Sequence, residues 1–163
     1  MENKETPKNI VQLHPSKATK ASEQKYGKEV MAIGFSIVPS LLLRAQKRLG
    51  LNPTQLTILM HLMDYWWDES RKPYPSKATL SERVNLGERQ IQRHIAEMEQ
   101  AGLVQRIERT ASHKGKLSNY YDLSGLVARL KKLAPEFQEV EDKVKTNRRG
   151  VAQRGGLKKT KSN

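Results

Sequence analysis

Between Leu80 and Val104 the apolar positions keep helical spacing, break, and then resume it. Leu80 and Val84 lie four apart, the break falls at Asn85-Leu86-Gly87, and Ile91, Ile95 and Met98 follow at spacings of four and three. This pattern predicts a short helix begun by Ser76 and a second helix from Gly87 to about Gln100, ended by Gly102. The turn needs a residue that tolerates positive φ, and Asn85 is among the few non-glycine types that do. Ser81 is small enough to let the two helices cross closely, and Leu86 plugs the corner.

On either side the signals change. Phe35, Ile37 and Val38 precede Pro39, and a helix from about Pro39 to Leu49, closed by Gly50, fits proline in a first turn and glycine past a last one. "LNPTQ" offers Asn52 as N-cap, Pro53 at the first helical position and Gln55 where a capping box wants it. The helix that follows reaches about Trp67. Its main apolar face is Leu56, Leu59, Leu62, Met63 and Trp66, and Ile58, Met60 and Trp67 widen it until core packing or a dimer contact would explain it equally. The prolines of "SRKPYPS" forbid a helix and permit a short extended piece. "LVQRIER" and "NYYDLSG" predict two strands of a hairpin with "TASHKGKLS" as a long basic tip. Leu126, Val127, Leu130 and Leu133 form a last helical stripe that stops near Pro135.

Composition alters this picture at the ends. Hydrophobic residues make up 36% of the 163, and the formal net charge is +13. So large a basic excess points to nucleic acid, an anionic surface or an acidic protein as partner. From Lys143 onward there are eight basic residues and no acid. With few large apolar side chains to offset ordering entropy, that segment is predicted to be disordered. The organisation expected is a flexible segment at residues 1–30, one folded domain at 31–137 and a disordered basic tail at 138–163. No apolar run approaches the roughly 20 residues that span a bilayer, and "MENKETPKNIVQLHPSK" lacks a signal peptide's apolar core. With no cysteine in the chain, disulfides, thiolate metal sites and cysteine nucleophiles are excluded. A soluble, cytoplasmic bacterial protein without membrane contact is the expectation.

The second helix carries the chemistry. At roughly 100° per residue, Arg89 and Arg93 fall nearly opposite Ile91, with small Ala96 beside them and Gln90 and Gln92 on the two flanks. Arginine can bridge guanine O6 and N7, and glutamine can bridge adenine N6 and N7, in the major groove. A helix that stops, turns and restarts with such residues is built to present its first turns outward.

The stretch "YPSKATLSERVNLGERQIQRHIAEMEQAGLVQR" resembles a helix-turn-helix, and with the hairpin it is similar to the winged-helix modules of bacterial transcription regulators, including those of plasmid- and phage-borne replication and regulatory proteins. The likeness runs from Phe35 to Leu123. Its marks are "PS" before the first helix, Ser81, the Ile91/Ile95/Met98 stripe and "GLV" leading into the wing. Asn85 stands where the family often has glycine, and His94 where a small or apolar residue is commoner. The resemblance implies an α+β, mostly helical winged helix-turn-helix that binds double-stranded DNA with sequence preference. Glu88 to Glu99 would enter the major groove, with Glu88, Arg89, Gln90, Gln92 and Arg93 foremost. Arg106, Arg109, Lys114 and Lys116 of the wing, with His113 as an addition, would touch backbone or minor groove, and Ser76, Lys77 and Thr79 would meet phosphate.

Plainer readings stand beside these. An exposed arginine pair is usually a solvated helix face, and only its agreement with turn, wing and charge lifts it above that. His94 at the edge of the stripe reads as a packed histidine, and the remaining histidines lack metal-ligand spacing, so no metal or cofactor is expected. Tyr65-Trp66-Trp67 reads as core or partner contact ahead of a base-stacking platform. Asp64, Asp68 and Glu69 read as a solvated helix end; a metal-dependent nuclease is the enzymatic alternative, and no enzyme is expected. The roles compatible with the pattern are transcriptional regulation, origin or stability-region binding on a mobile element, and a winged-helix protein-interaction module. A homodimer is a hypothesis resting on the wide apolar face at 53–67 and the stripe at 126–133; a monomer binding direct repeats is equally compatible. No pocket-lining pattern predicts a small-molecule effector.

Overall fold

The computed structural model describes residues 17–111 and 115–152, and the chain divides into two units at Phe35 and Ser36. In the first unit, α1 (Lys17–Tyr26) and α2 (Lys28–Ile33) meet at Gly27, whose φ of +89° breaks the helix. These helices lie mostly within residues whose polar composition predicts flexibility. Alanine, lysine, glutamate and glutamine favour helix even where few apolar anchors exist, and α2 has no buried residue.

The second unit is built on a helical core. Its first helix, α3 (Ser40–Arg44), is shorter than predicted, and tight turns carry the chain on to Gly50 at φ +70°. In α4 (Pro53–Asp64) the capping box forms as expected: the Asn52 side chain accepts from the Gln55 N–H at 2.9 Å, and Gln55 Oε1 accepts from the Asn52 N–H at 3.1 Å. Gln55 is 7% exposed, and its Nε2 donates to Glu97 Oε2 at 2.8 Å, so one side chain closes a helix start and ties it to a neighbour. Ile58, Leu59, Leu62 and Met63 are buried. Much of this apolar face is used within the chain, because α4 packs on both α5 (Lys77–Val84) and α6 (Glu88–Gln100).

The α5–α6 corner follows the predicted geometry. Ser76 caps α5 by accepting the Thr79 N–H at 3.0 Å. Asn85 takes the left-handed conformation at φ 56°, ψ 48°. Leu86 N–H donates to the Ser81 carbonyl at 3.1 Å, and the Ser81 hydroxyl donates back to the Leu86 carbonyl, so Ser81 fastens the turn as well as fitting it. Leu80, Ile91, Ile95 and Met98 are buried together.

The hairpin is more broken than two continuous strands. β1 (Gln105–Ile107) pairs antiparallel with β4 (Tyr120–Asp122), placing Arg106 opposite Tyr121. Further out, β2 (Thr110–Ala111) pairs with β3 (Gly115–Lys116). The extended piece before α5 docks beside β4, where the Tyr121 N–H donates to the Pro73 carbonyl at 2.8 Å. Pro73, which has no N–H to offer a ladder, still supplies an acceptor.

The last helix is where expectation and structure part. α7 runs from Ser124 to Ala152 without stopping at Pro135, so residues 138–152, assigned to a disordered tail, are helical. The exposed position of Pro135 leaves the unmatched carbonyl one turn back to solvent. Beyond it Arg48 pairs with Glu136, Arg44 pairs with Glu141, and the Arg44 guanidinium lies 5.4 Å from the Phe137 ring, binding the helix to the α3 segment. Leu126, Leu130 and Leu133 face the core. Of the two apolar faces that raise the homodimer hypothesis, Leu59, Leu62 and Met63 on α4 and Leu126, Leu130 and Leu133 on α7 turn inward, while Trp67 stays exposed. Among the described residues no helix is long and apolar enough to cross a membrane.

Two glycine-like positions govern this packing. A Cβ on Gly125 would sit 2.2 Å from the Gly102 carbonyl oxygen, so α7 can start only where it does with glycine there. Asn85→Ala is expected to cost about 1–2 kcal/mol through left-handed strain, and Asn85→Gly much less. Gly125→Ala should cost more than Asn85→Ala, since backbone must move. Urea midpoints at constant m check all three.

Candidate nucleic-acid interface

Burial of Ile91, Ile95 and Met98 sets the rotation of α6, and the opposite face is solvent. Glu88, Arg89, Gln90, Gln92 and Arg93 are all exposed. Among the described residues Arg89 makes no ion pair, and Arg93 Nε lies 3.8 Å from Glu97 Oε1, an exposed i,i+4 contact that contributes little on its own. Gln90 is spent differently: its Oε1 accepts the Gly87 N–H at 3.2 Å, closing the start of α6. Because Gly87 has no side chain to reciprocate, this is half a capping box.

A groove of about 730 Å³ separates the wing from the helices, and it gathers five of the residues singled out in the sequence: Ser76, Lys77, Glu88, Gln92 and Arg106. Ile95 and Glu99 continue the helical side, while Glu108, Ser118, Asn119 and Tyr121 form the wing side. Glu99 and Asn119 are the residues that sequence reasoning missed. The signal was present for Glu99, which lies on the same helical line as Glu88, Gln92 and Ile95, at steps of four, three and four.

Glu99 locks the wing to the helix. Its Oε1 accepts the Arg106 backbone N–H and its Oε2 accepts from Arg106 Nε, both at 2.7 Å. Burial pushes the Glu99 carboxyl up, but the Arg106 hydrogen bonds outweigh it and hold the carboxyl below its ordinary value. Arg106 therefore spends its charge inside the protein. Arg109 is also engaged: its guanidinium lies 4.6 Å from the Tyr74 ring and 4.4 Å from the Tyr120 ring. Thr79 and Ser76 are joined hydroxyl to hydroxyl at 2.8 Å, leaving Lys77 as the exposed cation at the start of α5. Lys116 lies in β3; His113 and Lys114 fall outside the described residues.

The neighbouring titratable groups are structural. His94 Nδ1 sits 3.2 Å from Glu97 Oε2 with 13% of the side chain exposed, a packed histidine as read from the sequence. Asp64 accepts hydrogen bonds from Ser36 and Arg83, which hold its carboxyl below the usual range against its burial. Trp66 packs at the core edge, and Trp67 is exposed. Among the described residues no three His, Cys, Asp or Glu side chains group in a way that could hold a metal ion.

With this geometry in place, residues 49–104 match the family model for a helix-turn-helix domain. This stretch of the chain is similar to helix-turn-helix domains. With the β-hairpin beyond it, the fold is that of a mostly helical winged helix-turn-helix. No curated protein sequence matches the chain. Among solved structures it is similar to the N-terminal domain of the DnaD protein from Geobacillus kaustophilus, at 25% identity and TM-score 0.48, covering 70% of this chain and 96% of that one. It is also similar to a protein of Methanosarcina mazei described as a possible transcriptional regulator, at 14% identity and TM-score 0.40, covering 62% and 82% of the two chains. A third likeness, to another transcriptional regulator, has 17% identity and TM-score 0.38, covering 75% and 78%.

The far edge of the wing holds a testable charge pair. Lys72 Nζ lies 2.9 Å from Asp122 Oδ2, and the Ser124 N–H donates to Oδ1 at 2.8 Å. The lysine first, and the N–H second, lower the Asp122 pKa from 3.8 to about 2. A carboxyl whose folded pKa is depressed stabilises the fold above its unfolded value, and that contribution disappears as pH falls toward the folded one. On the order of 1–2 kcal/mol, discounted for the part-exposed lysine, should be lost between about pH 4 and pH 2. Urea unfolding from pH 5 to pH 2 checks this: Lys72→Met should be less stable at pH 5 and show a shallower acid slope than wild type.

Proposed function

We propose that this protein binds duplex DNA with sequence preference, placing the N-terminal half of α6 in the major groove. The observation that carries the reading is the pair Arg89 and Arg93, exposed one turn apart on the face opposite the buried stripe, with Gln92 beside them. Arg93 and Arg89 are the candidates for guanine, Gln92 for adenine, and Glu88 for a cytosine amino group. Lys77 meets phosphate at one side of the helix, and the basic wing tip with Lys114 and Lys116 meets backbone or minor groove at the other. Gln90, Arg106 and Arg109 act as positioning residues, since each is engaged within the protein. The excess of base, +13 overall, adds a salt-dependent attraction that does not read sequence.

At a promoter this contact regulates transcription; at an origin or stability region it marks a mobile element. The same residues serve both roles, and the selected site separates them. The reading requires no catalytic step, no small-molecule effector and no second copy of the chain. A homodimer would announce itself as an inverted repeat with half-sites about one helical turn, or a multiple, apart.

Selection from a random duplex library at about 0.15 M salt, where phosphate attraction is weakened, should enrich one motif. Arg93→Ala should weaken binding to that motif by about 1–3 kcal/mol and relax the preference at one position. Arg106→Ala should lower stability and leave the preference unchanged. Equal loss by Arg93→Ala on selected and random DNA would make Arg93 a phosphate contact, and no enriched motif would overturn the reading.

A further inference from the structure

We propose that the face of the wing turned away from α6 is a second nucleic-acid site, which takes an unpaired nucleotide of a single strand. Strand alternation separates two faces that differ in chemistry. Arg106, Glu108 and Tyr121 point into the groove beside α6, whereas Ile107, Arg109 and Tyr120 line a concavity of about 540 Å³ on the other side, with Ser70, Arg71, Lys72 and Tyr74. The α6-side groove holds three glutamates, Glu88, Glu99 and Glu108. The far concavity holds three cations and two tyrosines, and none of its seven lining residues is acidic.

The arrangement inside that concavity suits a base and its phosphate. The Tyr74 and Tyr120 rings meet edge to face with centroids 5.8 Å apart, and the Arg109 guanidinium lies against both. Arg109 thereby holds the rings and places positive charge beside them. Tyr74 is 55% exposed, so it presents aromatic surface to solvent that a base face could cover. Lys72 is already matched by Asp122. Exposed Arg71, in the turn bridged to Asp68, is then the cation best able to meet a phosphate at the mouth, while the Asp68 carboxylate accepts the Ser70 N–H. A duplex hides its base faces, so stacking on Tyr74 selects for an unpaired strand; a ring face backed by arginine is tolerant of base identity. This site lies on the face of the wing opposite α6, and the abasic-strand and variant comparisons on the oligonucleotide test it without any duplex contact.

The test uses the full-length protein and a fluorescent oligothymidylate of about 15 nucleotides, within the range of single-strand site sizes, followed by anisotropy at about 0.15 M salt. The expected result is binding that persists when duplex DNA saturates the protein. Tyr74→Ala should weaken it about tenfold or more, Tyr74→Phe should retain it, and Arg71→Ala should weaken it, all with duplex affinity unchanged. An abasic strand of equal length should bind much more weakly. Equal binding of the abasic strand, displacement of the oligonucleotide by duplex, or indifference to both Tyr74→Ala and Arg71→Ala would each overturn the proposal. If Tyr74→Ala unfolds the wing by circular dichroism, Arg71→Ala and the abasic strand decide. Absence of a selected duplex motif would count against the α6 reading alone.

Discussion

Burial of Ile91, Ile95 and Met98 is the constraint on which the exposed chemistry depends. These three side chains leave α6 one rotation about its axis, and every other residue of the helix is then assigned to core, groove or solvent. Full burial of such side chains is worth roughly 1.5–3 kcal/mol each, while an exposed arginine costs little to place. Core packing therefore decides where Arg89 and Arg93 point. The left-handed Asn85, held by the Ser81–Leu86 hydrogen bonds, sets the angle at which α6 leaves α5. Rotation and angle together aim the helix.

The wing hangs from that helix by polar contacts. A pair of three-residue strands is too short to be stable by itself, and here it has supports on both faces. Glu99 grips Arg106 on the α6 side, and Arg109 lies against Tyr74 and Tyr120 on the other. The Pro73 carbonyl adds a third strand-like neighbour at the edge. Charges that composition alone would assign to DNA are thus partly spent inside the protein. Basic residues count toward net charge wherever they sit, but only those without an internal partner remain available to a polyanion.

Along α7 the same distinction works in the opposite direction. Its first turns are held by Leu126, Leu130 and Leu133, and its continuation past Pro135 is held by the Arg48–Glu136 and Arg44–Glu141 pairs. Those arginines come from a segment about ninety residues earlier, so nothing near Pro135 in the sequence announces them. A local stop signal was overridden by distant partners.

Much of the helical core was legible because its signals are local. The capping residues Asn52 and Ser76, the turn residue Asn85 and the 4-3 spacing of the stripe act over a few neighbours, and helix geometry turns that spacing directly into a face. Exposure of Arg89 and Arg93 followed from the same wheel. The partners of Arg106, Arg109, Gln55 and Arg44 were not legible, because a hydrogen bond between residues far apart in sequence depends on how the elements cross. Periodicity determined which side of each helix would be apolar. Tertiary structure decided which polar side chains would be free, because only the packed elements bring one charge within reach of another.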